Sequence, residues 1–194
     1  MKNSSEKWSS IIKDLKNLLI WIAIALIIRW QVVEPRWIPS GSMLPTLQIK
    51  DKILVEKLSP KFNLKANLFR LKDKIIVFEA PEQLLEAGYD SDTALIKRVI
   101  GVPGDKVEVR EGKLFLNDIQ QTKYPTDKNI NYSSGPFLVP DDYLWVMGDN
   151  RNNSMDSHIW GFLSYKKIVG RAILRYWPIN HFGPIFFPNV NEIS

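Results

Sequence analysis

Cysteine is absent from the 194 residues, and histidine occurs only twice, at His158 and His181. Such a chain has no thiol nucleophile, disulfide framework, iron–sulfur cluster or cysteine-ligated zinc, and a three-histidine metal site is excluded. If the chain is an enzyme, its base is sought among Asp, Glu and Lys; neither a metal nor another cofactor is expected. Long blocks of like charge are also missing. The 26 Lys+Arg and 21 Asp+Glu leave a formal charge of +5. The cations stand beside acids, as in Asp51-Lys52 and Lys72-Asp73-Lys74. Such mixing marks a solvated surface, and no nucleic acid is expected as a partner. The length and the 45% apolar content fit one ordinary domain, with or without a small satellite.

The one continuous apolar run is Leu18–Ile28. Its eleven residues would span about 16 Å as a helix, against a hydrocarbon core of about 30 Å. From Leu15 to Val33 the run is broken only by Lys16, Asn17, Arg29 and Gln31, all near an end, where long side chains reach the headgroups. That longer stretch gives about 28 Å, enough to span. Trp30-Gln31-Val32 follows the apolar core where a cleavable leader would need small residues, so the segment is read as retained. Trp21 and Trp30 are candidate interface anchors, and Lys2, Lys7, Lys13 and Lys16 place the N-terminus in the cytoplasm. Residues 1–33 are thus expected to form a tail and a single transmembrane anchor, with residues 34–194 on the non-cytoplasmic side. A surface or core helix of a soluble domain is the alternative.

Glu34-Pro-Arg-Trp-Ile-Pro39 ends the helix, because proline removes a donor and forces extension. Beyond it lie short β-branched or aromatic segments between turn residues: Ile53–Glu56, Lys74–Phe78, Ala94–Ile100, Lys106–Arg110, Lys113–Leu116, Tyr143–Met147 and Arg171–Trp177. Val107–Leu116 around Glu111-Gly112 reads as a hairpin. Glu82–Ala87 is a candidate short helix. The fold class is therefore mainly β: an N-terminal transmembrane helix, then an antiparallel β-sheet domain with a small inserted lobe. The domain is expected over 34–107 plus 140–194, and the hairpin-bearing lobe over 108–139. Asn117–Asp142 is polar and turn-rich, a loop-rich excursion from the main sheet. The closing Trp177–Pro188 segment packs across the sheet or touches lipid through Trp177, Phe186 and Phe187.

Three blocks carry candidate chemistry. In Ile38–Leu47, Ser40 and Ser42 flank Gly41 between Pro39 and Pro45, a stiff way to present a hydroxyl at a surface, with glycine supplying a backbone geometry that other residues resist. Pro-Ser-Gly-Ser is ordinary turn chemistry as well. Lys97 lies in an otherwise apolar strand beside Arg98, and alternation sends the two cations to opposite faces. One of them must then face something other than open water. A lysine in an apolar setting loses hydration, its pKa falls, and the neutral amine accepts a serine's proton. Arginine stays protonated and cannot do this. The third block, Gly148–Gly161, crowds polar groups of every kind. A Ser154/Asp156/His158 triad is disfavoured, since three near-neighbours in one segment do not ordinarily converge.

Together these blocks resemble type I signal peptidase, the membrane-anchored Ser/Lys endopeptidase that removes signal peptides. The resemblance runs in order through Glu34-Pro35, Ile38–Leu47, Asp73–Phe78, Lys97–Asp105, Gly148–Gly161 and Gly170–Ala172. It implies Ser42 as nucleophile and Lys97 as general base. Ser40 and the Ser42 N–H would form the oxyanion hole, and Ser154 would orient the lysine. Asp149, Arg151, Asp156 and His158 would make the supporting network. Ile38, Met43, Leu95 and Ile96 would line pockets for small side chains at substrate positions −1 and −3, with substrate backbone pairing near residues 94–97. The implied partners are signal-peptide-bearing precursors and membrane lipid, the implied state a monomer, and the implied site a bacterial cytoplasmic or thylakoid membrane. Asn152 and His158 depart from the family pattern, which often carries Asp and Arg there. The alternatives are another membrane-anchored Ser/Lys peptidase of narrower range, or a non-enzymatic anchored β-domain adaptor. Ser4–Lys7 and Ser164–Lys167 have the Ser-x-x-Lys spacing of penicillin-recognising enzymes, but no Lys-Thr-Gly follows either.

Overall fold

In the computed structural model the described residues are 2–58, 68–90, 93–124 and 129–185, with backbone alone for 2–7, 9 and 28–30. Lys2, Lys7, Trp30, Phe186 and Phe187, which the sequence nominates for topology or lipid contact, lie outside the described side chains. Helix α1 runs over Lys2–Gln31. Its apolar residues stay uncovered by the rest of the chain: Leu18, Leu19, Trp21 and Leu26 are each more than half exposed. Over the described residues no helix is both long and apolar enough to cross a membrane.

The rest is antiparallel β. The large sheet holds β1 (Val33–Trp37), β2 (Lys52–Glu56), β3 (Ile75–Glu79), β4 (Ala94–Gly101), β9 (Tyr143–Met147), β10 (Leu163–Ser164), β11 (Ile168–Trp177) and β12 (Gly183–Pro184). Its order is β1-β2-β11-β3-β4-β9-β10, with β12 on β11. The small sheet is ordered β7-β6-β5-β8, from β5 (Lys106–Arg110), β6 (Lys113–Leu116), β7 (Ile119–Gln120) and β8 (Ser134–Leu138). Short helices α2 (Glu82–Glu86) and α3 (Ser157–Trp160) complete the elements used below.

Strand β8 falls within the stretch expected to be loop-rich. It contains Gly135-Pro136 and lies at the edge of its sheet, where a missing N–H costs no ladder bond. Proline-bearing β1 edges the large sheet for the same reason. Strand β3 is apolar without alternation because both its faces are covered. Ile76 and Phe78 join Val99, Val146 and Trp160 on one side, while Ile75 and Val77 join Ile38, Met43 and Ile96 on the other. A third cluster, around Trp145, Val107 and Val109, seals the small sheet onto the large one.

Strand β4 pairs along one edge with β3, from Ala94↔Glu79 to Arg98↔Ile75. On its other edge β9 pairs only with the second half, beginning at Arg98↔Met147. Among the described residues, Ala94–Lys97 therefore has one edge without a strand partner.

Candidate active site

The segment between β1 and β2 is tied down by its own backbone. Ile38 N–H donates to the Asp51 carbonyl at 2.9 Å, and Lys50 N–H donates to the Ile38 carbonyl at 2.8 Å. Asp51 accepts from Gln48 N–H and from Arg175, which also reaches the Thr46 carbonyl. Within this closed loop Gly41–Met43 forms one 3₁₀ turn. Ser42 is 7% exposed, so its hydroxyl is nearly buried rather than presented at a surface. Gly41 does not adopt a left-handed conformation, and a Cβ there would lie 3.0 Å from Leu44 Cδ1, the end of a flexible, exposed side chain.

Lys97 comes in from β4 and is 4% exposed. Its Nζ lies 2.8 Å from Ser42 Oγ. Burial drives the Lys97 pKa down from 10.5 to about 8; Asp156, and then Asp149, hold it from falling further. Arg98 is even more buried, at 1%. It donates to Asp149 through Nε at 2.8 Å and Nη2 at 2.6 Å, and to the Asp73 carbonyl at 2.9 Å. Asp149 also accepts from Thr46 Oγ1 at 2.6 Å. Both cations of the strand thus leave water, one toward a hydroxyl and one into a forked ion pair.

Gly148, directly after β9, packs against the nucleophile turn. A Cβ at this position would overlap Ser154 Oγ and the Ser42 carbonyl oxygen. Asn150 grips the same turn, its N–H donating to the Ser42 carbonyl at 3.0 Å and its Nδ2 to the Gly41 carbonyl at 3.1 Å. Asp156 caps α3, accepting from the His158 N–H and ring, and it also accepts from Gly148 N–H at 2.8 Å. Arg151 is buried, with burial lowering its pKa and Asp149 and Asp156 raising it; its guanidinium lies over the Tyr124 ring at 5.3 Å. His158 lies 2.7 Å from Asp156, but Ser154 Oγ, itself buried, makes no hydrogen bond to either, so the block does not form a triad.

A cleft of about 200 Å³ is lined by Arg36, Trp37, Ile38, Pro39, Ile53, Val77 and Ala94–Ile96; Ala94–Ile96 lead directly to Lys97 in β4, which does not itself line it. Ile38, Leu95 and Ile96 from the sequence-based set line it. Met43 lies in the core cluster with Ile38 and Ile96, not in the lining. Ser40 Oγ stands 3.4 Å from Ser42 Oγ, long for a hydroxyl pair. Ser154 makes no hydrogen bond to Lys97. Arg98, Thr46 and Asn150 received no role in the sequence reading. The alternation of β4 was the available signal for Arg98; nothing local marks Thr46 or Asn150, whose partners lie more than a hundred residues away.

A buried serine–lysine pair whose lysine ends an open strand edge in an antiparallel β-fold is the layout of a serine/lysine peptidase. A family model described as signal peptidase, peptidase S26, matches residues 11–177, and the chain belongs to that family. It is 41% identical to a signal peptidase I of Leptolyngbya laminosa, over 91% of this chain and 85% of that one. A probable signal peptidase I-1 of Synechocystis is 41% identical over 95% of this chain and 93% of that one. A probable thylakoidal processing peptidase 2 of Arabidopsis thaliana is 42% identical over 86% of this chain and 44% of that one. Among solved structures, a signal peptidase I of Enterococcus faecalis aligns at 26% identity with a TM-score of 0.42, over 52% of this chain and 93% of that one.

Proposed function

We propose that the chain is a signal peptidase I that cuts signal peptides from exported precursors with Ser42 and neutral Lys97. The observation that carries the reading is the 2.8 Å contact between Ser42 Oγ and a buried Lys97 whose pKa is about 8. At pH 7 that value leaves roughly a tenth of the amines neutral, against less than a thousandth for an ordinary lysine.

Precursor backbone pairs with the open edge of Ala94–Lys97 as an added strand, and the small −1 and −3 side chains enter the cleft at Ile38, Leu95 and Ile96. Ser42 Oγ attacks the scissile carbonyl while its proton passes to Lys97 Nζ. The oxyanion takes hydrogen bonds from the Ser42 N–H and the Ser40 hydroxyl. Collapse expels the new N-terminal amine, which leaves with the proton from Lys97. Water, deprotonated by Lys97, then attacks the ester, and the departing Ser42 Oγ takes the proton back from Lys97 Nζ. The Asp149–Arg98 pair holds the loop that Asn150 docks on Ser42.

Helix α1 anchors the enzyme in a bacterial cytoplasmic or thylakoid membrane. Its uncovered apolar face suits lipid, and Ser42 follows the helix by eleven residues, within about 40 Å of chain. An enzyme cutting just beyond a signal peptide's apolar core needs its nucleophile at that depth. Ser42→Ala and Lys97→Arg should both abolish cleavage of a precursor with small residues at −1 and −3, read on a gel. Full activity in Lys97→Arg would sink the mechanism, because charge is kept and the base is lost.

A further inference from the structure

The two residues that depart from the family pattern, Asn152 and His158, both touch the small lobe. Asn152 Oδ1 accepts from Asn131 N–H at 2.9 Å, and its Nδ2 donates to the Asn129 carbonyl at 2.9 Å. The His158 ring stacks on Tyr132, with centroids 4.0 Å apart and planes 11° from parallel. Between these contacts the buried Arg151 faces the ring of Tyr124, whose hydroxyl donates to Asp73 at 2.6 Å. Tyr124 and Asn129–Tyr132 thus hold the loop 148–158 at three successive points.

We propose that this part of the lobe is a clamp that positions the catalytic loop, with Asn152 and Tyr132 as its positioning residues. The physical route is short. Asn152 is in the 3₁₀ turn Arg151–Asn153; Asn150 directly precedes it, accepting from Asn153 N–H at its own carbonyl while its N–H and Nδ2 hold the Ser42 and Gly41 carbonyls. Tyr132 fixes the ring that hydrogen-bonds Asp156, the carboxylate with the largest charge effect on Lys97. One end of the clamp sets where Ser42 sits; the other sets the field at its base. Asparagine is required at 152 because the site asks one side chain to accept from an N–H and to donate to a carbonyl. Aspartate supplies only the acceptor and turns a carboxylate oxygen toward the Asn129 carbonyl.

The inference rests on the Ser42–Lys97 reading, and the experiment separates the two. Hydrogen exchange on the full chain in detergent, followed for peptides covering 38–47 and 148–158, is compared for wild type, Asn152→Asp, Tyr132→Ala and Tyr132→Phe. In parallel, kcat, KM and the pH profile are measured on a precursor, well below the unfolding temperature of each variant. Asn152→Asp should speed exchange in 38–47 at least tenfold and lower kcat about tenfold with KM within twofold. Tyr132→Ala should displace the rising limb of the pH profile by at least half a pH unit, and Tyr132→Phe, which keeps the stacked ring, should restore it. Exchange in 38–47 and a pH limb both unchanged in Asn152→Asp and Tyr132→Ala would overturn the clamp. Faster exchange in the variants of an enzyme whose wild type cleaves no precursor would uphold the clamp and overturn the peptidase reading instead.

Discussion

Replacing Lys97 by methionine should make the protein more stable while making it inactive. In the unfolded chain the amine has its ordinary pKa of 10.5, and in the folded one about 8. At about 1.4 kcal/mol per tenfold change in proton affinity, the difference costs the folded state about 3 kcal/mol wherever both states carry the proton. That holds below pH 8. Between pH 8 and 10.5 the folded protein has released the proton and the unfolded one still binds it, so the penalty shrinks as pH rises; above 10.5 it is gone. Methionine is unbranched and of similar length, fills the same space and carries no charge. It forfeits the Ser42 hydrogen bond, worth about 1 kcal/mol. The net gain is about 2 kcal/mol at pH 7, falling to about zero near pH 10. Urea unfolding of the full chain in detergent at both pH values reads this directly. A Lys97→Met protein less stable than wild type at pH 7, or a difference that does not change by pH 10, would refute the reasoning.

Turnover should rise about tenfold per pH unit below pH 8 and level off above it, as the neutral fraction of Lys97 grows, measured as kcat/KM on a precursor peptide. Because Asp156 raises the proton affinity of Lys97, Asp156→Asn should move that limb to lower pH. Gly148→Ala forces a methyl group onto Ser154 Oγ and the Ser42 carbonyl oxygen; cleavage should drop more than a hundredfold, with about 2 kcal/mol lost in urea unfolding. Asp149→Asn leaves the Arg98 guanidinium buried without its counter-charge and should cost about 3–5 kcal/mol. Arg98→Met with Asp149→Leu should recover most of that loss in the same assay.

Local pattern carried much of the architecture. Lys106–Arg110, Lys113–Leu116 and Tyr143–Met147 form strands at the bounds their β-branched or aromatic content and flanking turn residues suggest. Strand β8 was hidden because glycine and proline argue against a strand until its edge position is known. The serine–lysine pairing was legible only as two isolated oddities, a fenced hydroxyl and a cation in an apolar strand, joined by resemblance to a family. The fold closes the sequence separation of 55 between them. Arg98 shows the limit most plainly. Alternation put it opposite Lys97 and required only that one of the two cations face something other than open water, yet β4 is covered on both faces and both cations are buried. Only sheet order reveals that, and sheet order depends on contacts far apart in sequence.

The open edge of β4 also restricts when the enzyme can act. A segment joins that edge only if its own N–H and C=O groups are unpaired, so a stretch already folded into a helix or sheet is unreadable whatever its sequence. Under the strand addition proposed above, cleavage is confined to the interval in which the precursor's junction is extended, and the timing of export and folding selects substrates as much as the proposed pockets do. The same edge is a hazard, because unpaired strand edges recruit copies of themselves. Among the described residues of β4 it spans just Ala94–Lys97, and Ala94–Ile96 line a cleft with Trp37 and Pro39 in its wall. A flexible single strand threads such a slot, and the edge of a second folded molecule does not.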